Sequence, residues 1–164
     1  MQLLKFPAFI YYFIFNCYVN MVDVKTEALL EKFTNYVMLD GKKSLAIKLM
    51  KDTFEVVKSK GQKDPKAVFM KALENVMPRI EVRPKRVWGS IYQVPQEVKD
   101  KRQLFLAAKW MLEAVRKKKG TGFANLLASE LIDAANETWD AVRKKMEVYK
   151  MAEANKAFAR FARR

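Results

Sequence analysis

"RPKRVWGSIYQVPQEV" (residues 83–98) departs from the rest of its chain. Around it, Ala, Leu, Lys and Glu recur at helical spacing. Here two prolines, a glycine, β-branched residues and cations at 83, 85 and 86 stand together. Val82 and Val87 fall on one run and Ile91, Tyr92 and Val94 on the next, with Gly89 near the turn between them. Pro84 and Pro95 have no N–H to give to a ladder, so both runs read as edge strands. Residues 79–98 therefore read as a free two-stranded ribbon, which is barely stable by itself in water. Arg79, Arg83, Lys85, Arg86, Lys99, Lys101 and Arg102 line it and its base. Side chains alternate along a strand, so Arg83 and Lys85 face one side and Arg86 the other.

Outward from the ribbon the chain reads as helices. Leu29, Leu30, Phe33, Tyr36 and Val37 give the apolar face of a first helix, from a Thr26 cap to about Leu39. "DGKKS" (40–44) breaks the chain. Ala46, Leu49, Met50, Thr53, Phe54 and Val57 then form the stripe of a second helix. Asp64 caps a third, with Pro65 in its first turn and Pro78 ending it. Leu104, Ala107, Ala108, Met111 and Val115 mark a fourth over about 100–118. Phe123, Leu126, Leu127, Leu131 and Ala134 mark a fifth over about 122–137. A sixth is expected from about 139 to 161. The fold class is mainly α: a six-helix bundle with a protruding basic hairpin between the third and fourth helices.

Charge points to the partner. Lys and Arg outnumber Asp and Glu by 32 to 18, a net +14 over 164 residues. Residues 1–40 carry three lysines against four carboxylates, so the excess lies wholly beyond them. A compact basic domain of this kind calls for a polyanion. With no histidine and one cysteine, Cys17, no Ser-His or Cys-His pair and no imidazole zinc site can form. No enzyme, cofactor or metal site is expected. In the ribbon, cations neutralise phosphates, while Trp88 and Tyr92 offer rings to unpaired bases. The plainer alternative is a solvated hairpin with Trp88 packed on its own strand.

The first twenty residues stand apart. "LLKFPAFIYYFIFNCYV" (3–19) is apolar and aromatic, and at the short edge of a membrane span. It reads as an extension packing on a partner, a membrane anchor, or a translated leader ahead of Met21, with no stable membrane insertion expected. Residues 21–164 then make one helical domain.

"LDGKKSLAIKLM" (39–50), "ALENVMPRIEVRPKRVWGSIYQVPQEV" (72–98), "LASELIDAA" (127–135) and "KMAEANKAFA" (150–159) resemble, in order, the signature segments of ribosomal protein seven of the small subunit, bacterial and organellar type. The resemblance covers about residues 24–160. It implies binding to the head (3′ major) domain of small-subunit rRNA, nucleation of head assembly, and a place near the exit-site tRNA, the mRNA exit region and neighbouring head and platform proteins. It carries rRNA contacts onto Lys42, Lys43, Arg79, Arg83, Lys85, Arg86, Tyr92, Lys99, Lys101 and Arg102. Val87, Trp88, Gly89, Arg143, Lys144 and Lys145 become the positions facing tRNA and mRNA. The chain departs from the family at Trp88, where a glycine is usual, and a Trp does not readily take positive φ. A changed turn geometry, or changed contacts at the turn, is therefore expected. Glu147 and Tyr149 replace the usual Asp and His. These departures, with the AT-rich flavour of residues 9–20, point to a mitochondrial ribosome in the matrix, with a plastid or the bacterial cytoplasm as alternatives. A regulatory RNA binder acting outside the ribosome, for instance on its own message, is the competing reading.

Overall fold

The computed structural model describes residues 26–120, 122–138 and 140–162. The expectations for residues 1–20 lie outside them. Six α-helices are seen among the described residues: α1 (26–37), α2 (Lys43–Ser59), α3 (Pro65–Val76), α4 (Asp100–Lys117), α5 (Phe123–Ala135) and α6 (Asp140–Ala154). Strands β1 (Ile80–Val87) and β2 (Ser90–Glu97) separate α3 from α4. No helix among the described residues is long and apolar enough to cross a membrane.

The local signals explain the boundaries. The Asp64 carboxylate accepts from the N–H groups of Lys66 and Ala67, at 3.0 and 3.3 Å, satisfying two donors at the start of α3. Met77 takes extended geometry, ψ 120°, as the residue before Pro78 must. Between α1 and α2 the chain reverses through Asp40 and Gly41, both at positive φ. Glycine takes that conformation freely and Asp tolerates it.

The helices pack because each buries one stripe. Phe33 of α1 meets Phe69 of α3 edge-on at 5.2 Å, and Phe54 of α2 meets the same ring at 6.2 Å. α5 sits against α2, α3 and α4, and Leu127, Leu131 and Ala134 are wholly buried there. Carbonyls in its last turn are capped from another helix. Asn75 Nδ2 donates to Ala134 O and Ala135 O, at 3.0 and 3.1 Å, in place of the residues that would continue the helix.

Two expectations are corrected. The last helix does not run to about 161: it ends at Ala154, and Lys156–Phe161 form a separate 3₁₀ turn. Asn155 Nδ2 donates to Met151 O at 2.8 Å, and the chain bends there. Nor is the ribbon free. The bend lays the 3₁₀ turn along β2, while α6 packs on β1. An isolated ribbon lacks enough apolar contact to persist, and this backing supplies it.

Replacing Leu131 by Ala is expected to lower unfolding free energy by about 3 kcal/mol through the cavity it leaves. Asn75→Ala is expected to lower it by about 1–2 kcal/mol, because two buried carbonyls each lose a side-chain donor. Urea titration measures both.

Candidate nucleic-acid interface

The ribbon register pairs Val87 with Ser90 across a two-residue turn of Trp88 and Gly89. Both turn residues have positive φ, 49° and 87°. That is the pattern of a type I′ hairpin, whose twist matches the strands. Trp88 thus takes the positive φ that a glycine takes freely. The tight register demands this turn, and Trp88 adopts the left-handed conformation despite its Cβ. Its ring stays 85% exposed and touches Phe161 edge-on at 6.2 Å.

Cross-strand pairing puts Lys85 opposite Tyr92 and Arg83 opposite Val94. Glu81, Lys85, Tyr92 and Val94 share the face turned inward. Val94 and Glu81 are buried there, and the Tyr92 ring lies 5.0 Å from Phe158 and 5.8 Å from Phe161. Lys85 Nζ donates to Phe161 O at 2.8 Å. Lys85 and Tyr92 thus hold the 3₁₀ turn, and the Tyr92 ring packs against Phe158 and Phe161. Arg86 and Ile91 project from the opposite, exposed face.

At the ribbon base the carboxylate of Glu81 binds two cations. Oε1 meets Nε and Nη2 of Arg83, and Oε2 accepts from Nε of Arg102 at 3.3 Å. The Arg102 guanidinium also lies over the Phe105 ring, 5.0 Å from its centre. Arg79 is exposed, and its backbone N–H donates to the Tyr149 hydroxyl at 3.0 Å. Lys99 and Lys101 are exposed on the approach to α4. Lys42 and Lys43 lie at the start of α2, where Lys43 Nζ meets Glu31 at 3.3 Å.

The positions expected to face tRNA divide. Val87, Trp88 and Gly89 form the ribbon tip. Arg143 and Lys144 border a cleft of about 390 Å³ between α4 and α6, together with Trp110, Lys117 and Lys118. Lys145 turns inward instead. Its Nζ donates to Asn75 O at 2.8 Å, near the C-terminal end of α3, where a cation is favoured. Sequence reasoning missed Glu81, Phe105, Phe158 and Phe161. One signal was present for the first: Glu81 is the acid two residues before Arg83 on a strand, hence on the same side.

The family model for ribosomal protein S7p/S5e matches residues 16–156. The chain belongs to that family. Among curated relatives, the small ribosomal subunit protein uS7 of Thermoanaerobacter sp. (strain X514) is 51% identical over 130 residues, covering 79% of this chain and 83% of that one. The uS7 protein of Moorella thermoacetica is 52% identical with the same coverage. That of Thermotoga maritima is 47% identical over 135 residues, 82% of this chain and 87% of its own. All three sources are bacteria.

Trp88→Asn is expected to raise the melting temperature by about 2–4 °C, because Asn-Gly suits both positions of this turn. A fall would mean that the edge contact with Phe161 outweighs the backbone strain. Phe158→Ala is expected to speed amide exchange across residues 80–97 while leaving bundle helicity intact. Unchanged protection would show that the 3₁₀ turn does not brace the ribbon.

Proposed function

We propose that this chain is a structural constituent of the small ribosomal subunit that binds the head (3′ major) domain of small-subunit rRNA, nucleates assembly of the head, and lies near the exit-site tRNA and the mRNA exit region. The role has no catalytic step. The observation that carries the reading is the basic surface at the ribbon and the start of α4. Arg79, Arg83, Arg86, Lys99 and Lys101 are exposed there, and half-exposed Arg102 joins them. Family membership and relatives named as small-subunit proteins support it. Cations on both ribbon faces suit an arm enclosed by folded RNA, where each phosphate neutralised releases counterions.

The tip and α6 are the parts proposed to face tRNA and mRNA. An exposed Trp88 ring is a stacking surface that any base accepts, and Arg143 and Lys144 add charge at the cleft between α4 and α6. Neighbouring head and platform proteins complete the proposed partners. The bacterial sources of the relatives support a ribosome of bacterial type. Residence in the mitochondrial matrix is proposed, with a plastid or the bacterial cytoplasm as alternatives, and the bacterial relatives favour the last. Fractionation of the source cells, with mass spectrometry of the protein's N-terminus, tests it.

Arg83→Ala combined with Arg86→Ala is expected to weaken binding to a head-domain rRNA fragment and to reduce the slope of log K against log salt by about 2. Helicity by circular dichroism is expected to hold. An unchanged affinity would remove the ribbon from the RNA interface. Co-sedimentation with small subunits separates ribosomal residence from a regulatory role off the ribosome.

A further inference from the structure

Glu81 is anomalous on the proposed surface. A carboxylate in a polyanion-binding region opposes the ligand's charge, and this one is buried: its side chain is 10% exposed. Burying an ionised carboxylate is costly unless it is paired, and both its oxygens are paired with arginines. The arginines themselves stay open, Arg83 at 49% and Arg102 at 42% exposed. The two come from different elements, strand β1 and the first turn of α4. Their elements are also fixed to each other. Val98 N–H donates to Arg79 O at 3.0 Å, closing the ribbon base. Gln103 Nε2 donates to Val98 O at 2.8 Å, tying α4 to the end of β2.

The guanidinium of Arg102 has two constraints. Glu81 holds its Nε, and the Phe105 ring lies against its face. What remains unbound by this pair is the outer edge with its Nη donors. Arg83 offers its remaining edge in the same way, with Nε and one Nη turned to Glu81. A planar guanidinium with a fixed inner edge presents the outer one as a ready fork for phosphate oxygens. Arginine side chains carry large rotamer entropy, and fixing them in advance removes much of that cost from binding.

We propose that Glu81 is a positioning residue that joins Arg83 and Arg102 into one clamp for a backbone phosphate of structured RNA. This rests on the RNA-binding reading above and goes beyond it, by making a buried acid necessary for anion binding. A carboxylate present only to dilute positive charge would weaken every polyanion alike. A positioning carboxylate instead strengthens binding where phosphates sit at fixed places and does nothing for a flexible strand.

The test compares two ligands on the full-length chain: a folded head-domain rRNA fragment and single-stranded poly(U). Glu81→Gln keeps the shape, removes the charge and places an amide N–H₂ against a guanidinium. The Kd for the rRNA fragment is expected to rise about tenfold, as when a charged hydrogen bond is lost. Affinity for poly(U) is expected to hold or tighten, since the surface gains a positive charge. Unchanged or tighter binding of the rRNA fragment would overturn the clamp, and so would equal weakening toward both ligands. If Glu81→Gln lowers helicity, Arg102→Lys decides instead. It keeps the charge and an ion-pair partner for Glu81 but loses the planar fork. A tenfold loss confined to the rRNA fragment supports the clamp, and unchanged affinity ends it. The Arg83→Ala, Arg86→Ala protein keeps the two ideas separate. If it binds rRNA normally, the RNA interface itself is wrong. If it fails to bind while both Glu81→Gln and Arg102→Lys bind normally, only the clamp is wrong.

Discussion

A two-stranded ribbon has one face to bury and nothing within itself to bury it against, and the form of the whole C-terminal region follows from that constraint. Tyr92 finds its cover in Phe158 and Phe161, residues that sit beyond the end of α6. For those rings to reach the ribbon the chain has to leave the helical path, and Asn155 marks where it does. α6 in turn must lie beside the ribbon root, and the Tyr149 hydroxyl and Lys145 fasten it there through the backbone of Arg79 and Asn75. The bundle core, from Phe33 to Leu131, needs none of these contacts. The molecule therefore has a body that coheres through apolar packing and an arm that is held to it by aromatic rings and a few long side chains.

The arm's charge is arranged rather than merely abundant. Some of its cations are committed to the protein: Lys85 to a carbonyl of the 3₁₀ turn, Lys145 to the end of α3, the inner edges of Arg83 and Arg102 to Glu81. The others, Arg79, Arg86, Lys99 and Lys101, remain exposed around them. A ligand would thus meet an inner pair held by Glu81 and an exposed rim of cations. Rigid donors favour a particular geometry of phosphates, while long solvated lysines adapt to many.

The helices were legible because their evidence is local. The spacing of Ala46, Met50, Thr53 and Val57, or the Asp64–Pro65 start, lies within one helix and needs nothing else. The ribbon was legible too, since Pro84, Pro95 and Gly89 punctuate it. What escaped depends on residues far apart in the chain. Lys85 and Phe161 are separated by 76 positions, and Arg79 and Tyr149 by 70. "KMAEANKAFARF" has helical composition throughout, so propensity gave no sign of the bend at Asn155; tertiary packing overrode it. At Trp88 the competition ran the other way. A sound local rule, that bulky residues avoid positive φ, yielded to the register of the strands on either side. Lys145 looked like its neighbours Arg143 and Lys144 in sequence, yet the helix turns it to face α3.

The bond between Lys85 and the carbonyl of Phe161 also sets an order in time. A chain is synthesised from its N-terminus, so the strands are complete well before the rings that brace them exist. At about 5–20 residues per second, 76 residues take roughly 4–15 s to add. Through that interval the bundle helices up to α5 can assemble behind a ribbon whose inner face is still bare. The arm's inner face is consequently covered only after its own strands and the bundle helices before α6 have been made.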